Sequence, residues 1–196
     1  MFVTLQQKNV GTEEPRKGWT EEEFLSLPDD EYRCELVDGE LVMSNAGMLH
    51  GEIAVFVSAA LITFVRSQRL GSVCDSSTGF RMKSGNYRSP DVSFISKERL
   101  QGMKRAPMKM LQGAPDLAVE ILSPTDTVEG THNKIVELFE NGTQLIWAVN
   151  PIQETVLVHH SPKPDKLLLP GDILDGEEIV PGFSLVVAEI FAEWEF

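Results

Sequence analysis

The alternation of apolar and polar positions divides the chain into recognisable elements. Residues 1–18 show no clear periodicity and read as an N-terminal arm. A helix start follows, where Thr20 and Glu23 form a capping box, Trp19 and Phe24 occupy staple positions and Pro28 is expected to end the helix. Tyr32 to Val37 and Glu40 to Met43 flank Asp38-Gly39, a strong short signal for a β-hairpin. From about Leu49 to Arg69 the spacing turns helical, and Ile53, Phe56, Val57, Ala60, Leu61, Phe64 and Val65 predict one long helix buried over a wide face.

Short strand-like runs follow near 71–75, 79–83 and 90–95, and residues 97–113 read as a helical turn and a surface loop. Leu117-Ala118-Val119-Glu120-Ile121-Leu122 is nearly continuous in apolar character, as expected of a strand in the middle of a covered sheet. A helix over about 127–141 stops at Asn141-Gly142, and strands are predicted at 144–149 and 155–159, joined through Asn150-Pro151. Turn chemistry at Pro170-Gly171-Asp172 and Pro181-Gly182 precedes an apolar run from Phe183 to Phe191. The order predicts an α/β (α+β) fold, a mixed sheet flanked by helices with an N-terminal helix and β-hairpin, in a single domain over 19–196.

Composition narrows the function classes. With 196 residues and 42% hydrophobic content, the chain can bury one sizeable core. Two cysteines, Cys34 and Cys74, are too few for a disulfide framework. No signal peptide is recognised and no run approaches the about 20 apolar residues of a membrane span, so a cytoplasmic protein with no membrane partner is expected. The formal net charge of −13 argues against a broad basic surface for nucleic acid.

Two carboxylates stand out, because Asp91 in Pro90-Asp91-Val92-Ser93-Phe94-Ile95 and Glu120 in the 117–122 run lie inside apolar strands. A carboxylate buried in a sheet is costly unless it is paired or bound to a cation, and two on neighbouring strands repel. A hard divalent cation relieves both penalties. Alternatively, each carboxylate points to solvent at a strand end or caps a loop.

Several stretches, in this order and spacing, resemble the Uma-type family, a domain of unknown function described as restriction endonucleases within the PD-(D/E)XK nuclease superfamily. They are Glu35-Leu36-Val37-Asp38-Gly39-Glu40, His50, Pro90-Asp91-Val92, Val119-Glu120-Ile121-Leu122-Ser123-Pro124, Lys134, Gly142 and Trp147-Ala148-Val149-Asn150-Pro151. The resemblance runs from about Trp19 to Phe191. It implies a restriction-endonuclease-like fold and a magnesium (or manganese) ion held by Asp91, Glu120 and the backbone carbonyl near Ile121. That ion would act as Lewis acid and generate a hydroxide nucleophile.

The superfamily pattern calls for lysine two residues after the glutamate, where this chain has Leu122. The resemblance implies that the lysine has moved to the following helix, as Lys134. If Thr131 caps that helix, Lys134 lies in the first turn, where the macrodipole disfavours a cation. A start near Asp126 removes that argument and leaves an ordinary solvated lysine. Glu35 matches an additional acidic position of the family, against the reading of an exposed strand carboxylate, and Glu40 reads as a solvated hairpin residue. His50 is placed to hydrogen-bond a ligand carboxylate, contact substrate or cap its helix.

Other signals carry less. His132 reads as surface, and His159-His160 alternate across a strand and cannot share a metal. There is no HExxH, no cysteine pair, no Gly-x-Ser-x-Gly elbow around Ser123 and no glycine-rich phosphate loop. Arg81, Lys83, Arg88, Lys104, Arg105 and Lys109 are the densest basic supply, and loop solubility accounts for most of them. The expectation is a metal-dependent endonuclease acting on nucleic acid, DNA in the first place. The alternative is a nuclease-fold binding module that no longer cuts, with a small-molecule enzyme or purely structural protein behind both. Apolar positions in the arm and Phe191, Trp194 and Phe196 point to a homodimer, or else to packing under the sheet.

Overall fold

The computed structural model describes residues 18–27, 34–43, 47–103 and 110–194. Its elements are α1 (Glu21–Leu25), β1 (Cys34–Val37), β2 (Glu40–Met43), α2 (Met48–Gln68), β3 (Gly71–Asp75), β4 (Phe80–Arg81), β5 (Tyr87–Arg88), β6 (Val92–Ser96) and β7 (Leu111–Gln112). They continue with β8 (Leu117–Ile121), α3 (Val128–Glu140), β9 (Leu145–Asn150), β10 (Thr155–His159), β11 (Lys166–Leu168), β12 (Ile173–Asp175), β13 (Ser184–Val186) and α4 (Val187–Ile190). The arm up to residue 17, Pro28, Tyr32 and Phe196 lie outside the described residues.

Local chemistry explains the first elements. Thr20 Oγ1 accepts the Glu23 N–H at 3.2 Å while the Glu23 carboxylate accepts the Thr20 N–H at 3.0 Å, so the capping box forms as the sequence implies. Asp38 and Gly39 both have positive φ, 51° and 76°, which is what a two-residue type I′ turn needs to match strand twist. The β1–β2 hairpin rests on a small cluster in which Phe24, Leu36 and Tyr87 are buried and Trp19 packs against them.

The main sheet has six strands in the order β11-β10-β9-β8-β6-β3, with β8 and β9 parallel and every other pair antiparallel. The parallel step is the one bridged by α3, as a βαβ connection requires. Leu117, Val119 and Ile121 of β8 face α2, together with Val92 and Phe94 of β6. Ala118 faces the other way, toward Ile135 and Leu138 of α3. All five residues of β8 are buried, as expected for a strand covered on both faces. A five-stranded sheet, β2-β1-β5-β4-β7, lies on the α3 side and sends Phe80 into the same cluster as Ile135 and Leu138.

Two expectations for α2 need correcting. Its buried residues are Ile53, Val57, Leu61 and Val65, one stripe at every fourth position, while Val55 is 70% exposed and Phe56 37%. Ala54, Ala60 and Phe64 flank that stripe, partly buried against the same core, so of the expected face only Phe56 lies outside it. The helix is also long and apolar enough to cross a membrane by length and composition, contrary to the expected lack of such a run. Its stripe packs into the core against β6 and β8, which is how the core helix of a folded domain passes the same test.

The C-terminal part closes the core on the α2 side. Leu174, Val180, Phe183, Leu185, Val187 and Ile190 join the α2 cluster, and the Phe183 ring stacks on Trp147 with centroids 5.7 Å apart. Phe191 packs partly buried against this cluster. Trp194 is exposed and donates its indole N–H to Glu52 on α2.

Two glycines test this packing. A methyl at Gly71 would fall 2.1 Å from the Ile95 carbonyl oxygen, whereas one at Gly51, in the exposed first turns of α2, meets nothing within 4 Å. Gly71→Ala is expected to lower the urea unfolding free energy by about 1–3 kcal/mol, and Gly51→Ala to raise it by about 0.5–1 kcal/mol.

Candidate active site

The β6–β8 ladder sets the geometry. Val92 pairs with Val119 and Ser93 with Ala118, so continuing the register by one step puts Asp91 opposite Glu120. By strand alternation both carboxylates project from the face that carries Ala118, toward α3. Asp91 Oδ2 accepts the Ile121 N–H at 2.7 Å, which ties the aspartate across the end of the ladder. His50, in the first turn of α2, places Nε2 3.2 Å from the same oxygen. That hydrogen bond holds the imidazole pKa above its ordinary value against the opposing effect of burial, with the charges of Asp91 and Asp126 and the Ile121 backbone adding to it.

Lys134 reaches into the site from α3. Its Nζ lies 2.7 Å from Glu120 Oε2 and 2.9 Å from Glu35 Oε1, so one ammonium is shared by two carboxylates from two different sheets. Burial works to lower its pKa, but the charges of Glu120, Glu35 and Asp91 outweigh that and hold it well above the ordinary lysine value. The helix is capped by Thr127, whose Oγ1 accepts the Gly130 N–H at 3.0 Å. Lys134 therefore sits in the second turn, and the argument from a Thr131 cap and the macrodipole falls.

Glu35, on β1, is buried in the cluster rather than exposed on its strand. Its Oε1 also accepts the Ser89 N–H at 2.7 Å, and its Oε2 accepts Arg88 Nη1 at 3.0 Å. Burial would raise its pKa, yet the charges of Lys134 and Arg88 and the Ser89 N–H bring it below the usual glutamate value. Arg88 in turn donates through Nε to Glu137 Oε2 at 2.6 Å, while Glu137 Oε1 accepts Ser84 Oγ at 2.6 Å and Asn86 Nδ2 at 2.8 Å.

Glu120 is the strained member. Its Oε1 is buried and has no hydrogen-bond partner. Burial pushes its pKa up to about 8, and Asp91 and Glu35 push the same way against the opposing Lys134. The cluster holds four carboxylates, Glu35, Asp91, Glu120 and Glu137, against the fixed cations Lys134 and Arg88. An orphaned carboxyl oxygen beside a second carboxylate, in a site two charges negative once Glu120 is ionised and His50 neutral, fits a divalent cation. Among the described residues no three His, Cys, Asp or Glu side chains form a closed ligand cage. Two carboxylates and the Ile121 carbonyl would leave positions for water, the arrangement magnesium favours. These groups line an open cleft of about 550 Å³, together with Leu122, Gly130 and Thr131 of α3 and its cap Thr127.

The structure thus brings together Asp91, Glu120, Ile121, Lys134, Glu35 and His50 from five separate segments. It leaves out the others. His132 is exposed on α3, Glu40 is half-buried on β2, and His159 is buried while His160 pairs outside with Asp165 and Glu177. Arg81 is bound by Glu21, and Lys83 donates to the Glu140 carbonyl at 3.0 Å, so both are structural. Lys104, Arg105 and Lys109 lie outside the described residues. Arg88 corrects the reading of loop solubility, for it is 7% exposed and bound on both sides. Arg88 and Glu137 are the members the sequence reading missed. The available signals were Arg88 three residues before Asp91 and Glu137 three after Lys134, on the same helix face.

Comparison with known proteins gives a consistent picture. The crystal structure of a DUF820 protein from Anabaena variabilis ATCC 29413, described as a putative nuclease, superposes with a TM-score of 0.76 at 21% sequence identity. The match covers 87% of this chain and 96% of that one, and it establishes a shared fold. No curated protein matches the chain. The sequence profile of the Uma2 family, described as "putative restriction endonuclease", matches residues 21–188, a span that takes in every residue of the cluster. The chain belongs to the Uma2 family.

Proposed function

We propose that the protein is a divalent-metal-dependent endonuclease that hydrolyses phosphodiester bonds in DNA, with Asp91, Glu120 and the Ile121 carbonyl holding the ion. The observation that carries this reading is the buried, unpartnered Glu120 Oε1 opposite Asp91, beside an ammonium 2.7 Å from the other glutamate oxygen. Bound there, magnesium or manganese would supply Lewis acidity and a hydroxide nucleophile. The family description and the DUF820 neighbour support the reaction class.

The chain's own groups take the remaining roles. Lys134 keeps its proton at neutral pH, so it serves as a fixed positive charge for the anionic transition state and not as a base. Glu35 holds its ammonium from the side away from Glu120. His50 and the Ile121 N–H fix one Asp91 oxygen, which orients the carboxylate toward the cleft. Lys134 takes from α3 the place that Leu122, just past β8, cannot fill.

The described lining of the cleft has no free cation, since Arg88 and Lys134 are both committed to carboxylates. With a net charge of −13, affinity for DNA then rests on the bound ion. A homodimer that presents two such clefts to two strands is the assembly we favour. Exposed Val55 and Phe56 on α2, with Trp194 tied to Glu52 of the same helix, support that face for self-association.

Calorimetric titration of manganese into the wild-type protein is expected to give one site per chain. Asp91→Ala and Glu120→Ala should remove that binding, and plasmid nicking with it. Lys134→Met should keep the metal and lose about a hundredfold or more in nicking rate. Metal binding to wild type without nicking would sink the nuclease claim.

The metal-free Glu120 carboxyl stays protonated up to about pH 8, and the ion needs the carboxylate. Manganese affinity is therefore expected to rise with pH, by at most about tenfold per unit, and to level off above about pH 8. Calorimetry in two buffers of different ionisation enthalpy should show a proton released on binding at pH 7 and none at pH 9.

A further inference from the structure

The site is extended by a chain of alternating charges that no part of the proposed reaction uses directly. It runs Glu120, Lys134, Glu35, Arg88, Glu137, with heavy-atom separations of 2.7, 2.9, 3.0 and 2.6 Å. Its two ends differ. Glu120 faces the cleft with one oxygen unpartnered, whereas Glu137 is saturated by Arg88, Ser84 and Asn86. Lys134 and Glu137 are three residues apart on α3, so the last four members form a ring closed through the helix backbone.

The ring gives Arg88 a definable task. Glu35 splits its charge: Oε1 takes the Ser89 N–H and Lys134, and Oε2 takes Arg88. An ammonium between two carboxylates moves toward whichever carries more uncompensated charge. Without Arg88, Glu35 would present its full charge to Lys134 and draw the lysine away from Glu120. Only the planar guanidinium fork offers two donors at fixed separation, here Nη1 to Glu35 and Nε to Glu137. Ser84 and Asn86 occupy the other Glu137 oxygen, which leaves Oε2 to anchor Arg88.

We propose that Arg88, anchored by Glu137, is a positioning residue that neutralises part of Glu35 and so keeps Lys134 shared with Glu120 at the cleft. The positioning is a claim about geometry; its effect on cleavage rests on the nuclease reading above.

The test uses the double variant Arg88→Gln/Glu137→Gln, which removes one buried charge of each sign and avoids leaving Glu137 alone in the interior. Lysine-ammonium NMR reads which glutamate carboxyl carbons share a hydrogen bond with Lys134 Nζ, through couplings across the bond. At pH 9, where Glu120 is ionised, wild type is expected to show couplings to both Glu35 and Glu120, and the double variant to Glu35 alone. Adding Glu35→Gln should return the coupling to Glu120. A Glu120 coupling that persists in the double variant, or is missing in wild type, overturns the proposal.

Nicking of supercoiled plasmid by the same proteins gives the second readout. The double variant should lose about a hundredfold in kcat, as a misplaced catalytic group does, with KM and the manganese Kd held within about twofold. Adding Glu35→Gln should recover at least about tenfold of that loss, a rescue that a merely structural ion pair would not give. Metal affinity and melting temperature falling in step with kcat would overturn the positioning role. If wild type does not cleave at all, the nuclease reading fails while the couplings still decide the geometry.

Discussion

One half-buried ammonium shared between two carboxylates holds the site together. Lys134 lies within 2.9 Å of both Glu120 and Glu35, and these come from strands of different sheets. Removing a charged partner from such a buried contact leaves an uncompensated charge in a poorly hydrated interior, at a cost of about 3–5 kcal/mol. The five-stranded sheet, α3 and the six-stranded sheet therefore meet at a point where electrostatics leaves little freedom. Apolar packing of Phe80, Ala118, Ile135, Leu138 and Ile146 surrounds that junction and excludes water from one side of it.

The remaining electrostatics follow from the ladder. An antiparallel register that puts Asp91 opposite Glu120 puts two like charges at one strand end, normally a destabilising arrangement. Burial, with the charge of Asp91 adding to it, pushes the Glu120 pKa up to about 8, and Asp91 is held by the Ile121 N–H and His50. Native folds tolerate such local conflict where function needs it.

How much of this could be read in the sequence depends on the range of the interaction involved. The Asp38-Gly39 hairpin and the Thr20–Glu23 cap are decided by neighbours in the chain, and both appear where the residues imply. The continuous apolar run of β8 already carried its central position, and Glu120 stood out against it. The two-residue strands β4, β5 and β7 carry too few positions to show any period, so the second sheet was only partly visible. Arg88 was hidden for the same reason, since a charged residue in a short polar stretch looks like a loop until its partners on β1 and α3 are placed beside it. The outer face of α2, apolar yet exposed, was likewise unreadable, because periodicity reports which residues are apolar and not which neighbours cover them.

The span of the charged ring also bears on when the cluster can close during synthesis. Glu35 and Arg88 enter early, but Lys134 and Glu137 follow much later. A nascent chain that has emerged only as far as β8 carries both acidic residues and no lysine to complement them. Such long-range closure is slow to form, so the charged cluster is among the last features of the fold to be completed.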